Sequence, residues 1–324
     1  MNTDNIALSN HDSTQEPLVS VLVPSYNHQK YIIECLESIN NLDYPRLELL
    51  VSDDCSTDDT YSLAEQWTQR HLNRFERTLI SRQSENLGIA GNLQYLFDNA
   101  QGAYFAPIAS DDMFVKPAIT CRVGILQKNR NVDALFGKAE GISESGELIA
   151  NAVMSKQDAS IFLRLSSRKL LAARLMLMRF WPIPGPVLLI RREALCEGGS
   201  VGRLPSEIKI EDAYMHSRLA ALGRLGFVDC VVARYRNTPG GIASTICRSN
   251  ELVEGFVTIY RMNMRLMKGF NRIVIGNRLS RYKLQLNPEK TLFDKVNSFV
   301  LRLITVQLKA ICLLLYTFMP KPSL

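Results

Sequence analysis

The 324-residue chain lacks three features that would assign it to a large class of proteins. Its longest apolar run without charge, residues 310–319, is about half of the roughly 20 residues that a spanning helix needs, so the sequence predicts no transmembrane segment. Its seven cysteines are odd in number and have neither Cys-x-x-Cys nor Cys/His zinc-site spacing, which favours a reducing compartment and a cytoplasmic location. Residues 1–16 lack early Lys or Arg and any apolar run, so they predict a disordered polar arm and not a secretory signal.

Charge is unevenly distributed along the chain. The composition is globular, with 46% hydrophobic and 22% charged residues and a net charge of +6. Residues 1–160 contain 12 basic and 22 acidic residues, whereas residues 161–324 contain 26 basic and 10 acidic ones. A half with this much positive charge predicts an anionic partner such as phosphate, nucleic acid or anionic lipid.

The first third of the chain alternates apolar strands with amphipathic helices. Strands are predicted at residues 18–23, 47–51, 78–81 and 103–109, with helices between them, which is typical of parallel βαβ units. The fold class that follows is a doubly wound, mostly parallel α/β sheet with helices on both faces. Further on, a strand at 187–190, a helix at 211–221 and a strand at 226–235 are predicted, and the chain is helical and basic from residue 250 onward.

Two pairs of acids follow buried strands of this predicted sheet. Asp53-Asp54 follows the second strand and Asp111-Asp112 the fourth. Ligands of such sheets bind at the carboxyl ends of the strands, so we expect both pairs on one rim. Adjacent carboxylates repel unless a cation intervenes, and Mg²⁺ or Mn²⁺ prefers one or two carboxylates together with diphosphate oxygens. Helix caps and solvated turns remain the alternatives.

The segment after the first strand, PSYNHQK, contains no glycine-rich phosphate loop. This disfavours a Rossmann dehydrogenase and a P-loop kinase. A bound nucleotide would therefore need a metal for its phosphates, and Tyr26 could stack on its base. Asp53 or Asp54 could accept a hydrogen bond from a pyrimidine. An ordinary half-buried aromatic is the alternative for Tyr26.

Five segments in this order resemble family 2 of the inverting glycosyltransferases, which have a GT-A fold. The resemblance covers roughly residues 17–243 and rests on VSVLVPSYNHQKYI, LELLVSDDCSTDDT, ENLGIAGNLQYLFDNAQGAYFAPIASDD, PGPVLLIRREAL and IEDAYMHSRLAALG. It implies transfer of a sugar from a nucleotide-sugar, a UDP-sugar by preference, to a hydroxyl of a cell-surface glycan or a lipid-linked acceptor. It also implies a divalent metal, Mn²⁺ or Mg²⁺.

The resemblance assigns roles to individual positions. Asp111 and Asp112 match the metal and ribose carboxylates, although Ala109 replaces the first acid of the common DxDD form. Asp212, in Glu211-Asp212, matches the general base. The remaining positions are implied to surround the nucleotide-sugar: Pro24, Tyr26, Asn27, Asp53, Asp54, Asn86, Gly88 and Asn92.

The domain organisation follows from the same resemblance. Residues 17–245 form the expected GT-A catalytic domain, with a nucleotide-binding half at 17–115 and an acceptor half at 116–245, and residues 246–324 form a basic amphipathic helical extension. Basic residues interleave with apolar ones at 161–181 and 262–283, and residues 293–319 are apolar. Such helices lie in an anionic interface, so we expect peripheral attachment to the inner face of the cytoplasmic membrane. Helices packed on the catalytic domain are the alternative.

Two other functions compete with this interpretation. A sugar-nucleotidyltransferase shares a nucleotide-binding α/β sheet, but its glycine-rich signature is absent here. A nucleic-acid-binding protein would use the basic half, yet the basic residues lie among Leu and Met and not among exposed aromatics. We therefore expect no nucleic-acid partner.

Overall fold

The computed structural model describes residues 16–150, 153–165, 168–177, 183–208, 210–238, 250–286 and 292–317. The predicted polar arm therefore lies outside the described residues, apart from Glu16. The strands are β1 Val19–Ser25, β2 Leu47–Asp53, β3 Arg77–Arg82, β4 Tyr104–Pro107, β5 Met113–Phe114, β6 Ala134–Ile142, β7 Leu148–Ala150, β8 Leu188–Arg191 and β9 Leu225–Arg236. The helices are α1 Ile32–Asn40, α2 Thr60–Arg70, α3 Gly88–Asn99, α4 Thr120–Lys128, α5 Lys156–Leu165, α6 Leu170–Leu177, α7 Arg192–Leu195, α8 Glu211–Leu222, α9 Asn250–Asn263, α10 Gly269–Leu286 and α11 Leu292–Thr317.

The first four strands form the parallel part of one sheet. β1 pairs with β2 and β4, and β2 pairs with β3, all in parallel. The apolar runs of β1 and β2 are fully buried, as expected for parallel strands covered on both faces. The predicted α/β fold class is confirmed.

Beyond β4 the sheet becomes mixed, in the order β3-β2-β1-β4-β8-β6-β9-β5. β8 runs antiparallel to both β4 and β6, and β9 runs parallel to β6. The carboxyl ends of β1, β2, β3, β4, β6 and β9 consequently share one side of the sheet, which we call the carboxyl edge. This edge gathers residues from both halves of the chain.

A buried carboxylate fixes the opposite edge. Glu48, within β2, accepts hydrogen bonds from the Ser20 hydroxyl, the Arg77 guanidinium and the Gln101 N–H. Gly102 follows, and a Cβ there would stand 2.7 Å from the Ser20 amide nitrogen and 2.9 Å from the Leu18 carbonyl oxygen. Only glycine lets the backbone approach the sheet this closely.

The basic segments divide into packed and exposed helices. In α5 and α6 the apolar side chains, among them Phe162, Leu171 and Met176, belong to the hydrophobic core. Val274 and Leu279 of α10 are also buried. The prediction that residues 161–181 and 262–283 offer their apolar faces to lipid is therefore wrong for these side chains, because those faces are already covered by protein.

α11 differs from these helices. Its segment Asn297–Leu315 has a mean hydropathy of 1.9 and is the one part of the described chain long and apolar enough to cross a membrane. The sequence prediction missed it because Arg302 and Lys309 interrupt every charge-free run. Length and composition therefore permit a span.

Candidate functional site

Hydrogen bonds join three loops at the carboxyl edge. The Asp54 N–H donates to the Ser25 carbonyl at 2.8 Å, so the loops after β2 and β1 are linked. The Asn27 N–H donates to the Ser56 hydroxyl at 2.9 Å. His28 Nδ1 lies 2.7 Å from the Ser110 hydroxyl and links the β1 loop to the β4 loop. The two predicted acidic pairs therefore stand on loops that are tied to one another.

Asn27 shapes the first of these loops. It has a φ of 52°, in the left-handed region that asparagine tolerates better than most residues. Its side-chain carbonyl accepts the Thr57 N–H at 2.9 Å. Pro24 is buried within β1, whereas Tyr26 is 45% exposed. Asn27 thus holds the turn that presents the Tyr26 ring to solvent.

Asp53 has a role within the protein. Its carboxylate is buried and accepts hydrogen bonds from both the N–H and the hydroxyl of Ser56. Arg82 Nε lies 3.7 Å away. These groups surround the carboxylate and close the turn between β2 and α2, so its oxygens are engaged by protein groups.

Asp54 connects β2 to the start of α3. Its Oδ1 accepts the Leu87 N–H at 2.7 Å, and its backbone carbonyl accepts the Asn86 side-chain amide at 3.2 Å. Burial raises the pKa of Asp54, and the neighbouring charge of Asp53 adds to this rise. Gly88 has a φ of 70° and donates its N–H to Asn86 Oδ1. The structure therefore brings Asp54, Asn86 and Gly88 together.

Asn92 lies beneath this group. It is buried and donates its side-chain amide to the Ser52 carbonyl at 2.8 Å. Its Oδ1 has no hydrogen-bond partner among the described residues. Asn92 therefore anchors α3 to β2 and does not line an exposed surface.

In the second acidic pair, Asp111-Asp112, the carboxylate of Asp112 is strongly destabilised by its surroundings. Asp112 is 2% exposed, and its Oδ1 accepts the Arg236 N–H at 2.8 Å. Burial and the adjacent charge of Asp111 raise the pKa of Asp112 well above its ordinary value. In the part of the chain that the structure describes, no Lys or Arg side chain forms an ion pair with it. Asp111 Oδ2 lies 3.9 Å from His28 Nε2.

Arg236, at the end of β9, holds the surroundings of this pair. Its buried guanidinium donates to the Asp111 carbonyl at 2.7 Å and to the Glu144 carbonyl at 2.8 Å, and it pairs with the Glu34 carboxylate. The same group lies over the Tyr31 ring, 5.0 Å from its centroid. Arg236 therefore links β4, β9, α1 and the turn after β6, and its positive charge is paired with the Glu34 carboxylate.

The donor chemistry of Asp111 and Asp112 fits a hard divalent cation. Both are oxygen ligands, they are adjacent, and the burial of Asp112 makes an unneutralised pair costly. No cluster of three or more His, Cys, Asp or Glu that could enclose a metal occurs within the described ranges. The pair therefore suits a cation that completes its coordination with phosphate oxygens.

Glu211 and Asp212 open α8. Burial raises the pKa of Asp212 to about 6, and burial together with the charge of Asp212 raises the pKa of Glu211 to about 8. α8 ends at a left-handed Gly223, two residues before β9 begins. Among the described residues, no hydrogen bond joins Asp212 to the other acids.

Sequence reasoning missed the groups around Arg236. A cavity of about 570 Å³ opens beside it, lined by Lys30, Tyr31, Glu34, Ser143, Glu144 and Ser145. These residues come from α1, from the two positions before it and from the turn after β6, which only the mixed sheet brings together. The one sequence signal for this group was the position of Arg236 at the end of a predicted strand, close to the expected acidic edge.

Comparisons with known proteins agree with the resemblance. Residues 20–179 match the family model described as Glycosyl transferase family 2. Chondroitin synthase from Escherichia coli is 30% identical over 135 residues, which is 42% of this chain and 19% of that protein. The teichuronic acid biosynthesis glycosyltransferase TuaG from Bacillus subtilis is 37% identical over 101 residues, 31% of this chain and 38% of TuaG. The alignments thus span well under half of these relatives.

Two solved structures share the fold over most of the chain. Staphylococcus aureus TarS 1-349 in complex with UDP-GlcNAc aligns with a TM-score of 0.61 and 19% identity, covering 90% of this chain and 81% of that one. The mannosyltransferase PcManGT from Pyrobaculum calidifontis, in complex with GDP-Man and Mn²⁺, aligns with a TM-score of 0.63 and 21% identity, covering 94% and 82%. At this identity the likeness establishes a common GT-A fold.

Proposed function

We propose that the chain is an inverting glycosyltransferase that uses a nucleotide-sugar, with a UDP-sugar as the preferred donor, because residues 20–179 match the Glycosyl transferase family 2 model. One observation carries the proposal. The loops after β1, β2 and β4, which the chain separates widely, are hydrogen-bonded into one acidic rim with an exposed aromatic ring. A nucleic-acid-binding protein does not need such a rim, and the glycine-rich signature of a sugar-nucleotidyltransferase is absent from the sequence.

In this proposal the loops after β1, β2 and β3 hold the nucleotide. The exposed ring of Tyr26 stacks on the base, and the Asp54–Asn86 pair offers polar atoms to the base or ribose. The remaining predicted positions shape these loops, because their polar groups are engaged within the protein or their side chains are buried or absent. They are Pro24, Asn27, Asp53, Gly88 and Asn92. Support comes from TarS and PcManGT, whose solved complexes contain UDP-GlcNAc and GDP-Man.

Asp111 and Asp112 would hold a divalent cation, Mn²⁺ or Mg²⁺. When bound, such a cation stabilises the negative charge that develops on the diphosphate leaving group. Arg236 keeps the two carboxylates in place through its N–H to Asp112 and its guanidinium on the Asp111 carbonyl. The presence of Mn²⁺ in the PcManGT complex supports this assignment.

Asp212 is the proposed general base. An acceptor hydroxyl attacks the anomeric carbon from the side opposite the diphosphate, the bond to the diphosphate breaks, and the hydroxyl proton passes to Asp212. Burial raises the pKa of both acids, and the charge of Asp212 raises the pKa of Glu211 further, so Asp212 is the acid of the pair that ionises first as pH rises. Separated pKa values within one acidic pair are typical of divided roles.

We further propose that the acceptor is a cell-surface glycan or a lipid-linked precursor and that the protein is cytoplasmic, peripheral on the inner face of the membrane. The named activities of two relatives support the acceptor class: TuaG in teichuronic acid biosynthesis, and TarS as a poly(ribitol-phosphate) beta-N-acetylglucosaminyltransferase. The excess of basic residues after residue 160 supports the location.

A donor panel tests the activity. Purified protein is incubated with several UDP-sugars and with GDP-mannose in the presence of Mn²⁺, and released nucleotide and thermal stabilisation are measured. We expect one donor to be hydrolysed slowly without acceptor and Asp112→Ala to lose about 100-fold or more of that rate. Asp229→Ala, an exposed acid paired with Lys138, is the control and should match the wild type. No response to any donor, or equal responses in both variants, would refute the proposal.

A further inference from the structure

α11 presents a continuous apolar strip to solvent. Phe299, Leu303, Val306, Leu313 and Leu314 recur at helical spacing and are 49–64% exposed, so they form one face, which we call the α11 stripe. Thr305, Leu308 and Cys312 are buried on the other side. That side packs on α10 and α6. The helix is therefore anchored along its length with its more apolar face outward.

A cluster of cations borders the stripe. Arg302 and Lys309 of α11 lie about 60–80° around the helix axis from Phe299, between the stripe and the packed side. Burial lowers the pKa of Lys309, and the charges of Arg278, Arg174 and Arg281 lower it further. Burial and the charges of Arg278 and Arg302 lower the pKa of Arg281 in the same way. Five cations from three helices are thus close enough to repel one another.

In the part of the chain that the structure describes, three of these cations contact other protein groups. Arg174 pairs with Asp158 at 2.6 Å, and Arg281 donates to the Thr305 hydroxyl at 3.0 Å. The Arg278 guanidinium donates to the Met176 carbonyl and lies over the Tyr282 ring. The cluster retains a net positive charge beside an exposed apolar face, which is the pairing that an anionic lipid interface accommodates.

We propose that α11 lies in the plane of an anionic bilayer, with the α11 stripe inserted among the acyl chains and the neighbouring cations at the phosphate headgroups. The inference rests on the membrane location proposed above and assigns it to one surface. It differs from the sequence expectation because α6 and α10 contribute only cations, whereas α11 supplies the apolar contact.

Geometry favours this orientation over a spanning helix. A span would place Arg302 and Lys309 inside the hydrocarbon and detach Thr305, Leu308 and Cys312 from their packing. In the interfacial orientation both cations reach the headgroups while the helix stays docked. A second copy of the chain is a poorer occupant, because a twofold contact through the stripe would bring two cation clusters toward each other.

Vesicle flotation with the full-length protein tests the proposal. Phosphatidylcholine vesicles with and without 30% phosphatidylglycerol are compared at low and high salt. We expect binding to the anionic vesicles alone, weakened by salt. The double variant Leu303→Gln/Val306→Gln should reduce vesicle partitioning at least about tenfold. The double variant Arg302→Gln/Lys309→Gln should reduce partitioning by about fivefold for each cation removed, and it should also weaken the salt dependence of binding. Ile273→Gln, at an exposed apolar residue outside the stripe, is the matched control and should bind as wild type.

Three results would overturn the proposal. The first is wild-type flotation by the Leu303→Gln/Val306→Gln variant at an unchanged thermal midpoint. The second is a dimer in light scattering that this variant dissociates. The third is resistance of the membrane-bound protein to alkaline carbonate, which indicates a span. Nucleotide-sugar hydrolysis in solution is measured on the same variants and should be unchanged, so a failure of the membrane surface is distinguishable from a failure of the proposed activity.

Discussion

The buried Arg236 network provides the sharpest test of how the acidic rim is built. Arg236→Ala removes a guanidinium that donates to Asp111, Glu144 and Glu34, and it leaves their acceptors without that partner. Breaking a buried ion pair by removing one member costs about 3–5 kcal/mol. The Glu34 side chain is half exposed and can be rehydrated, so we expect the lower end, about 3 kcal/mol.

That loss converts to a measurable shift in the unfolding midpoint. An unfolding entropy of about 2.1 cal/mol/K per residue gives roughly 0.7 kcal/mol/K for this chain, so about 3 kcal/mol corresponds to roughly 4 °C. Arg234→Ala is the matched control, because Arg234 lies two residues earlier on β9 and pairs with Glu140 at 3.1 Å near the surface. An exposed pair contributes at most about 1 kcal/mol, so its midpoint should fall by less than about 2 °C.

Differential scanning calorimetry at pH 7.5 measures both variants. The interpretation of Arg236 would be refuted if the two midpoints fell equally, or if Arg236→Ala matched the wild type. Arg236→Lys keeps the charge but cannot span the same acceptors, so we expect it to recover less than half of the loss.

Three further predictions concern single positions. Asp212→Asn should lower kcat by about 100-fold to 10,000-fold with little change in donor affinity. In the wild type, activity should rise as pH increases through about 6, since the base must be ionised, and this acid limb should vanish in the variant. Gly102→Ala should lower the unfolding midpoint by several degrees, because its Cβ would collide with the Ser20 backbone. Ser56→Ala should weaken nucleotide binding in equilibrium titration by releasing Asp53 from its turn, and unaltered affinity would contradict the loop-shaping role.

The parallel part of the fold was predictable because its signals are local. β1 and β2 are short, mostly apolar runs. The position of Asp54 and Asp112 after strands places both at the carboxyl edge by a general property of parallel sheets. The insertion of β8 between β4 and β6 carries no comparable signal, since it depends on tertiary pairing alone. Arg236 was therefore not recognised as the residue that joins the two halves.

Side-chain roles were harder to predict than positions. Nothing local distinguishes Asp53, which is enclosed by Ser56, from Asp54, which reaches α3. Composition also does not reveal whether an apolar helix face meets protein or lipid. For α5 and α6 it meets the core, whereas for α11 it faces outward, although all three segments combine basic and apolar residues.

In the proposed function, the acidic rim binds a nucleotide diphosphate through a cation at Asp111 and Asp112. The most direct measurement is a crystal structure of the protein with UDP and Mn²⁺, using anomalous scattering to locate the metal. We predict one strong manganese peak within about 2.2 Å of an Asp112 carboxylate oxygen and of phosphate oxygens, with the uracil against Tyr26. UDP bound away from this rim, or bound here with the manganese elsewhere, would contradict the account.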